Sequence, residues 1–191
     1  MAPRTVSILV VVALLSLQRL GELWLAGHWL RRTAEESGAT DEPDPVLPLM
    51  VAVHAAWLAG CAIEPLLWPR PLLPALAVAM AGVWAAALAL RVWTLRTLGR
   101  YWHVRVIRRT RQPVLTGGPY RFIRHPNYLV VIAEVAAVPL LLGAYGTALL
   151  ASLANAALLT ARIRREEAYL LGLPAYRAAF AHKARLLPGV F

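Results

Sequence analysis

The residues best suited to chemistry lie between His103 and Glu167. A glycine-rich turn, Gly117-Gly118-Pro119-Tyr120-Arg121, is followed by Arg124-His125-Pro126-Asn127-Tyr128, directly ahead of an apolar run. Pro126 drives His125 out of helical geometry, and proline itself suits the first turn of a helix. The pattern predicts a loop feeding a helix N-terminus, where backbone amides and the positive end of the dipole favour a carboxylate or phosphate. A second group, Arg162-Ile163-Arg164-Arg165-Glu166-Glu167, leaves a later apolar run. Such carboxylates can accept from an ammonium group, although composition alone reads the pair as a solvated face. His103 and His125 are of the residue type that most often serves as a general base. His103 reads equally well as a surface residue.

Those groups need elements to hold them. The chain of 191 residues is one domain by length, 59% hydrophobic and only 16% charged, with a net charge of +10. A soluble domain carries about 25% charged residues. The deficit makes lipid the solvent for much of the surface, and basicity at the ends of apolar runs points to a membrane rather than to nucleic acid. Five apolar segments are expected to span: Val6–Leu30, Val46–Trp68, Leu72–Leu95, Tyr128–Leu142 and Tyr145–Ala161. The last two are short for a span of roughly 20 residues and, joined by Gly143 and Ala144, read as a helical hairpin. The first has the charge and apolarity of a signal peptide but no Ala-x-Ala cleavage site, so it is expected to remain as a span.

Arginine placement predicts the orientation. With the N-terminus outside, the inner segments hold Arg31 and Arg32, Arg96 through Arg124, and Arg162 through Arg185, whereas the outer segments hold Arg4 and Arg70. Five spans with N-out and C-in fit the positive-inside rule. The expected fold is therefore an all-α integral membrane protein, a single domain over 1–191. Three N-terminal helices (1–95) would precede a half (96–191) whose cytoplasmic loop and C-terminal helix form a pocket. The Arg105–Arg111 stretch suits anionic headgroups or a substrate.

Ionisable groups inside the spans are costly and usually face a polar interior. Arg19 and Glu22 share a helix face and are expected to pair; with Arg91 they read as helix-packing charges. Glu64, ahead of Pro65, reads as solvated, and the roles of His54 and Glu134 stay open. Cys61 is the one cysteine, so a disulfide within the chain and a cysteine-based metal site are both excluded, and no metal is expected.

The strings "TGGPYRFIRHPNYL", "RIRREEAYLLGLPAYRAAF" and "LLPGVF", with a helical hairpin between the first two, resemble the isoprenylcysteine carboxyl methyltransferase family and the related phospholipid methyltransferases. The likeness covers about half of the chain, from Leu98 to Phe191. The N-terminal "QRLGELWLAGHWLRR" and "LPLMVAVHAAWL" are similar to a bacterial branch that methylates alkylpyrone or phenolic lipid hydroxyls. The resemblance implies S-adenosylmethionine as cofactor. It implies a pocket of Gly118, Pro119, Tyr120, Arg124, His125, Pro126, Tyr128, Glu166 and Glu167, with His103 and Arg124 as catalytic candidates. The acceptor would be a lipophilic small molecule met at a bacterial cytoplasmic membrane. Val130 departs from the family, which often has glycine there. No Gly-x-Gly-x-x-Gly follows a strand pattern, so a Rossmann site is not expected. A phospholipid N-methyltransferase, an NADPH-dependent intramembrane reductase sharing a His-Pro-Asn-Tyr element, and a non-catalytic scaffold are the rival readings.

Overall fold

The computed structural model describes residues 3–37, 40–41, 44–102, 107–108 and 113–187. Five long helices dominate: α1 (Pro3–Ser37), α2 (Val46–Leu67), α3 (Pro74–Leu98), α4 (Pro126–Leu142) and α5 (Tyr145–Leu170); a short α6 (Pro174–Phe180) follows. Of these, α1, α2, α3 and α5 are long and apolar enough to cross a membrane. At 17 residues, α4 is about 25 Å long. Two-residue strands β1 (Thr40–Asp41) and β2 (Ile107–Arg108) pair antiparallel, too briefly to alter the all-α class. The protein is an integral membrane protein, as its composition requires.

Consecutive helices alternate in direction. The β1–β2 pair joins the α1–α2 loop to the α3–α4 loop at one end. At the other end the Tyr145 hydroxyl donates to the Pro71 carbonyl, joining the α2–α3 loop to the α4–α5 turn. That turn forms as the Gly143–Ala144 pair predicts. Gly143 adopts φ +81°, and the Ala144 amide reaches back to the Pro139 carbonyl at 2.7 Å, a Schellman-type closure. Glu64 corrects its expected solvated role. Its carboxylate accepts from the Gly146 and Thr147 amides and from the Thr147 hydroxyl at 2.7–2.9 Å, capping α5 from a neighbouring helix.

The short α4 is the axis of the bundle. Val130, Val131, Val135, Val138 and Leu142 are buried along it, and Trp57 of α2 donates its indole N–H to the Val135 carbonyl at 3.2 Å. The core joins Ile8 and Leu15 of α1, Trp57 and Cys61 of α2, and Ala151 of α5 to this face. Leucines on the outer faces, such as Leu149, Leu150 and Leu153, are more than half exposed and meet lipid. Surrounded by protein, α4 does not need the length of a lipid-facing helix. It also tolerates Glu134, which is fully buried.

Candidate active site

The loop before α4 is fastened to the C-terminal segment by backbone bonds. Ile123 and Ala184 form a parallel bridge; the amides of Arg124 and His125 donate to the carbonyls of Ala184 and Arg185. Upstream, Gly118 opens a 3-10 turn (Gly118–Arg121) at φ +54°, where a Cβ would stand 2.1 Å from Thr97 Oγ1. Both the dihedral and the contact with α3 require glycine. His125 takes a non-helical conformation and Pro126 begins α4, as the Arg-His-Pro spacing predicts.

The side chains complete the clasp. Arg124 donates from Nε to the Lys183 carbonyl at 2.8 Å, from one terminal nitrogen to the Ala181 carbonyl at 3.1 Å, and from the other to Glu167 at 2.9 Å. Glu167 also meets His125 Nε2 at 3.2 Å and Arg185 Nε at 2.8 Å. It is buried, held by neighbours that are themselves held by the chain.

Glu166 has different surroundings. It lines a cavity of about 470 Å³ and accepts from the Tyr128 hydroxyl at 2.5 Å through Oε2. Arg162 Nε donates to the same hydroxyl at 3.1 Å, and an Arg162 terminal nitrogen lies 3.4 Å from Met50 Sδ. Aromatic rings close this end. Tyr128 stacks on His125 with centroids 5.2 Å apart, and Tyr176 stacks on Phe180 at 4.5 Å. Burial first, and then the Glu166 charge, push the Tyr120 and Tyr176 phenols above their ordinary range, so both stay neutral donors near pH 7. Asn127 also lines the cavity, and its buried Oδ1 has no hydrogen-bond partner among the described residues.

From there the cavity descends between α1, α2, α3 and α4 to a second charged group. Arg19 pairs with Glu22 at 2.9 Å and with Glu134 at 2.5 Å. Arg91 pairs with Glu22 at 2.8 Å and also with Glu134. Gln18 bridges the two carboxylates at 3.0 and 3.2 Å. Two guanidiniums face two carboxylates, so the group is neutral. Glu134 is eight residues into α4, about 12 Å from the loop end.

The sequence pattern of the Isoprenylcysteine carboxyl methyltransferase (ICMT) family matches residues 79–172, from α3 through the loop to the Glu166–Glu167 pair. The chain is also 31% identical over 157 residues to the uncharacterized protein YpbQ of Bacillus subtilis (strain 168), covering 82% of this chain and 92% of that one. The chain belongs to the isoprenylcysteine carboxyl methyltransferase family. It is a membrane methyltransferase by that membership.

Within this methyltransferase, the expected site residues divide. Tyr120, Arg124, His125, Tyr128 and Glu166 line one cavity. Gly118, Pro119, Pro126 and Glu167 stand outside its lining and shape the loop instead. His103 lies outside the described residues, as does most of the Arg105–Arg111 stretch. Around the start of α4 the amides of Arg124, His125, Tyr128 and Leu129 donate to carbonyls. Sequence reasoning did not place Asn127 or Arg162 in the site, and it left open the role of His54, which lines the cavity. Asn127 was visible as the polar residue between Pro126 and Tyr128; Arg162 was hidden among the other arginines at the end of α5.

Proposed function

We propose that this methyltransferase uses S-adenosylmethionine to methylate an oxygen of a lipophilic acceptor, an enol, phenol or carboxylate, at the inner face of a bacterial cytoplasmic membrane. The observation that carries the reading is one cavity with a carboxylate and aromatic rings at its loop end and an apolar passage into the bundle. The residues suit the cofactor. Among the described residues Glu166 has a hydrogen bond at one carboxylate oxygen only, which leaves an acceptor for an ammonium group. The unpartnered Asn127 Oδ1 is a second acceptor. Tyr120, Tyr128 and Tyr176 offer π faces to a sulfonium. When bound, adenosylmethionine would supply an electrophilic methyl group.

The chain's own residues bind, orient and exclude water. Arg124 acts as a positioning residue, since all three of its guanidinium nitrogens already hold the protein together. Glu167 fixes Arg124 and His125 behind the wall. The apolar passage withholds water from the reacting groups and aligns a lipophilic acceptor. Arginine-rich loops at the cavity's end support an N-out, C-in orientation. Reporter fusions at the two termini test it, and matching signals from both ends would refute it.

Calorimetry on purified protein tests the cofactor. Adenosylmethionine is expected to bind, and Glu166→Gln to weaken it about 10- to 150-fold, the loss of a charge-assisted hydrogen bond of roughly 1.5–3 kcal/mol. Folded protein that binds NADPH and not adenosylmethionine would overturn the reading. Unchanged affinity in Glu166→Gln would remove Glu166 from the site.

A further inference from the structure

His54 sits on a spanning helix, where a bare imidazole nitrogen is expensive to keep. Its Nδ1 lies 2.8 Å from the Met50 carbonyl. A carbonyl only accepts, so Nδ1 carries the hydrogen and Nε2 holds the lone pair. Among the described residues Nε2 has no hydrogen-bond partner, and it is not among the side-chain atoms sealed from solvent. The residue lines the cavity, so that lone pair faces open space.

The ring is held in place. It meets Trp57 edge-on at 6.3 Å, and Trp57 is anchored to α4 through the Val135 carbonyl. Leu47, Met50, Val51, His54, Ala55 and Leu58 form one cavity-facing stripe on α2, at helical spacing. Met50 touches Arg162 at the Glu166 end. His54 is one turn deeper, about 6 Å along the helix, among apolar neighbours. Arg19 and Glu22 of α1, Arg91 of α3 and Glu134 of α4 stand beyond it, and Arg19, Arg91 and Glu134 act on the ring electrostatically. His125, by contrast, shares Nε2 with Glu167 and stacks against Tyr128 at the polar end.

We propose that His54 Nε2 is the general base of the methyl transfer and that the acceptor is a lipophilic hydroxyl un-ionised at neutral pH, a phenol or weakly acidic enol. A carboxylate is already ionised and needs no base, whereas an un-ionised hydroxyl must lose its proton to become a good nucleophile. The inference rests on the methyltransferase reading above and narrows its acceptor class. The acceptor O–H bond breaks as its proton moves to His54 Nε2. The electron pair on oxygen forms the new O–CH₃ bond. The S–CH₃ pair returns to sulfur, which leaves as a neutral thioether, and the imidazolium yields its proton to water on product release.

The test compares a long-chain 4-alkylphenol with its ring-nitrated counterpart, which is far more acidic, using labelled adenosylmethionine. His54→Ala and His54→Gln are expected to lose about 100-fold or more in rate on the alkylphenol, the usual worth of a general base. Adenosylmethionine affinity should stay at the wild-type value, and the defect should shrink at least tenfold on the nitrophenol. An equal loss on both acceptors, or no loss, overturns the proposal; so does wild-type protein that binds adenosylmethionine and methylates neither. Absent adenosylmethionine binding, the methyltransferase reading falls first and takes this inference with it. A second measurement needs neither turnover nor a variant chain: adding the alkylphenol should move the ¹⁵N resonance of the His54 Nε2 toward its protonated position. An unmoved resonance at saturating phenol overturns the proposal on its own.

Discussion

Two clusters of arginine and glutamate stand at the two ends of one cavity, and each is held together by ion pairs among its own members. In the bundle, Arg19, Arg91, Glu22 and Glu134 pair across α1, α3 and α4 through the terminal guanidinium nitrogens, while the Nε atoms of both arginines are buried without a partner among the described residues. At the loop, Glu167 gathers Arg124, His125 and Arg185, which fastens α5, the loop and the C-terminal segment. Between them stand Glu166 and His54, each with one atom bonded to the protein and another without a partner among the described residues. Charge that meets its own kind of partner builds the walls. A polar atom left open toward the cavity can act on a ligand.

The largest effect expected from this contrast is at Glu134. Replacing it with Ala leaves Arg19 and Arg91 sharing Glu22 alone, with one charge uncompensated in the bundle, and breaking a buried pair by removing one partner costs about 3–5 kcal/mol. Equilibrium unfolding in lipid-like detergent measures it; a cost under about 1 kcal/mol would show that the cluster is hydrated and break the comparison. Glu167→Gln comes next. It weakens three contacts from charged or chargeable donors at a buried carboxylate, and the expected loss is about 1.5–3 kcal/mol, read as a lower melting temperature. The adjacent Glu166→Gln, by contrast, should change stability by no more than about 0.5 kcal/mol while losing cofactor affinity. Adjacent carboxylates with opposite readouts sharpen the comparison. Should Glu167→Gln instead lose affinity at unchanged stability, the roles assigned to the two would be exchanged.

Much of this was legible in the residues. Apolar length fixes the spans, because in lipid every backbone group must bond within its own helix. Pro126 sets the start of α4, and Gly143 sets its end, because each reports a local dihedral restriction. Arg19 and Glu22 pair as their three-residue spacing requires. The Glu166–Glu167 pair was visible as chemistry, but spacing could not divide it.

Only the tertiary structure decided which carboxylate faces the cavity. Neighbours in a helix are about 100° apart, so one side of α5 presents Glu167 to the clasp and the next position presents Glu166 to open space. It likewise turned Glu64 from a solvated carboxylate into a cap for α5. It brought Arg91 and Glu134, 43 residues apart, into one network with α1. His54 acquired its meaning the same way. The sequence by itself determined the spans, the turns and the family's motif residues, because these depend on composition and local backbone restriction. Which lone pairs are spent and which are open was decided by the packing of α1, α2, α4 and α5, because a hydrogen bond between helices is a property of three-dimensional proximity and has no local signature.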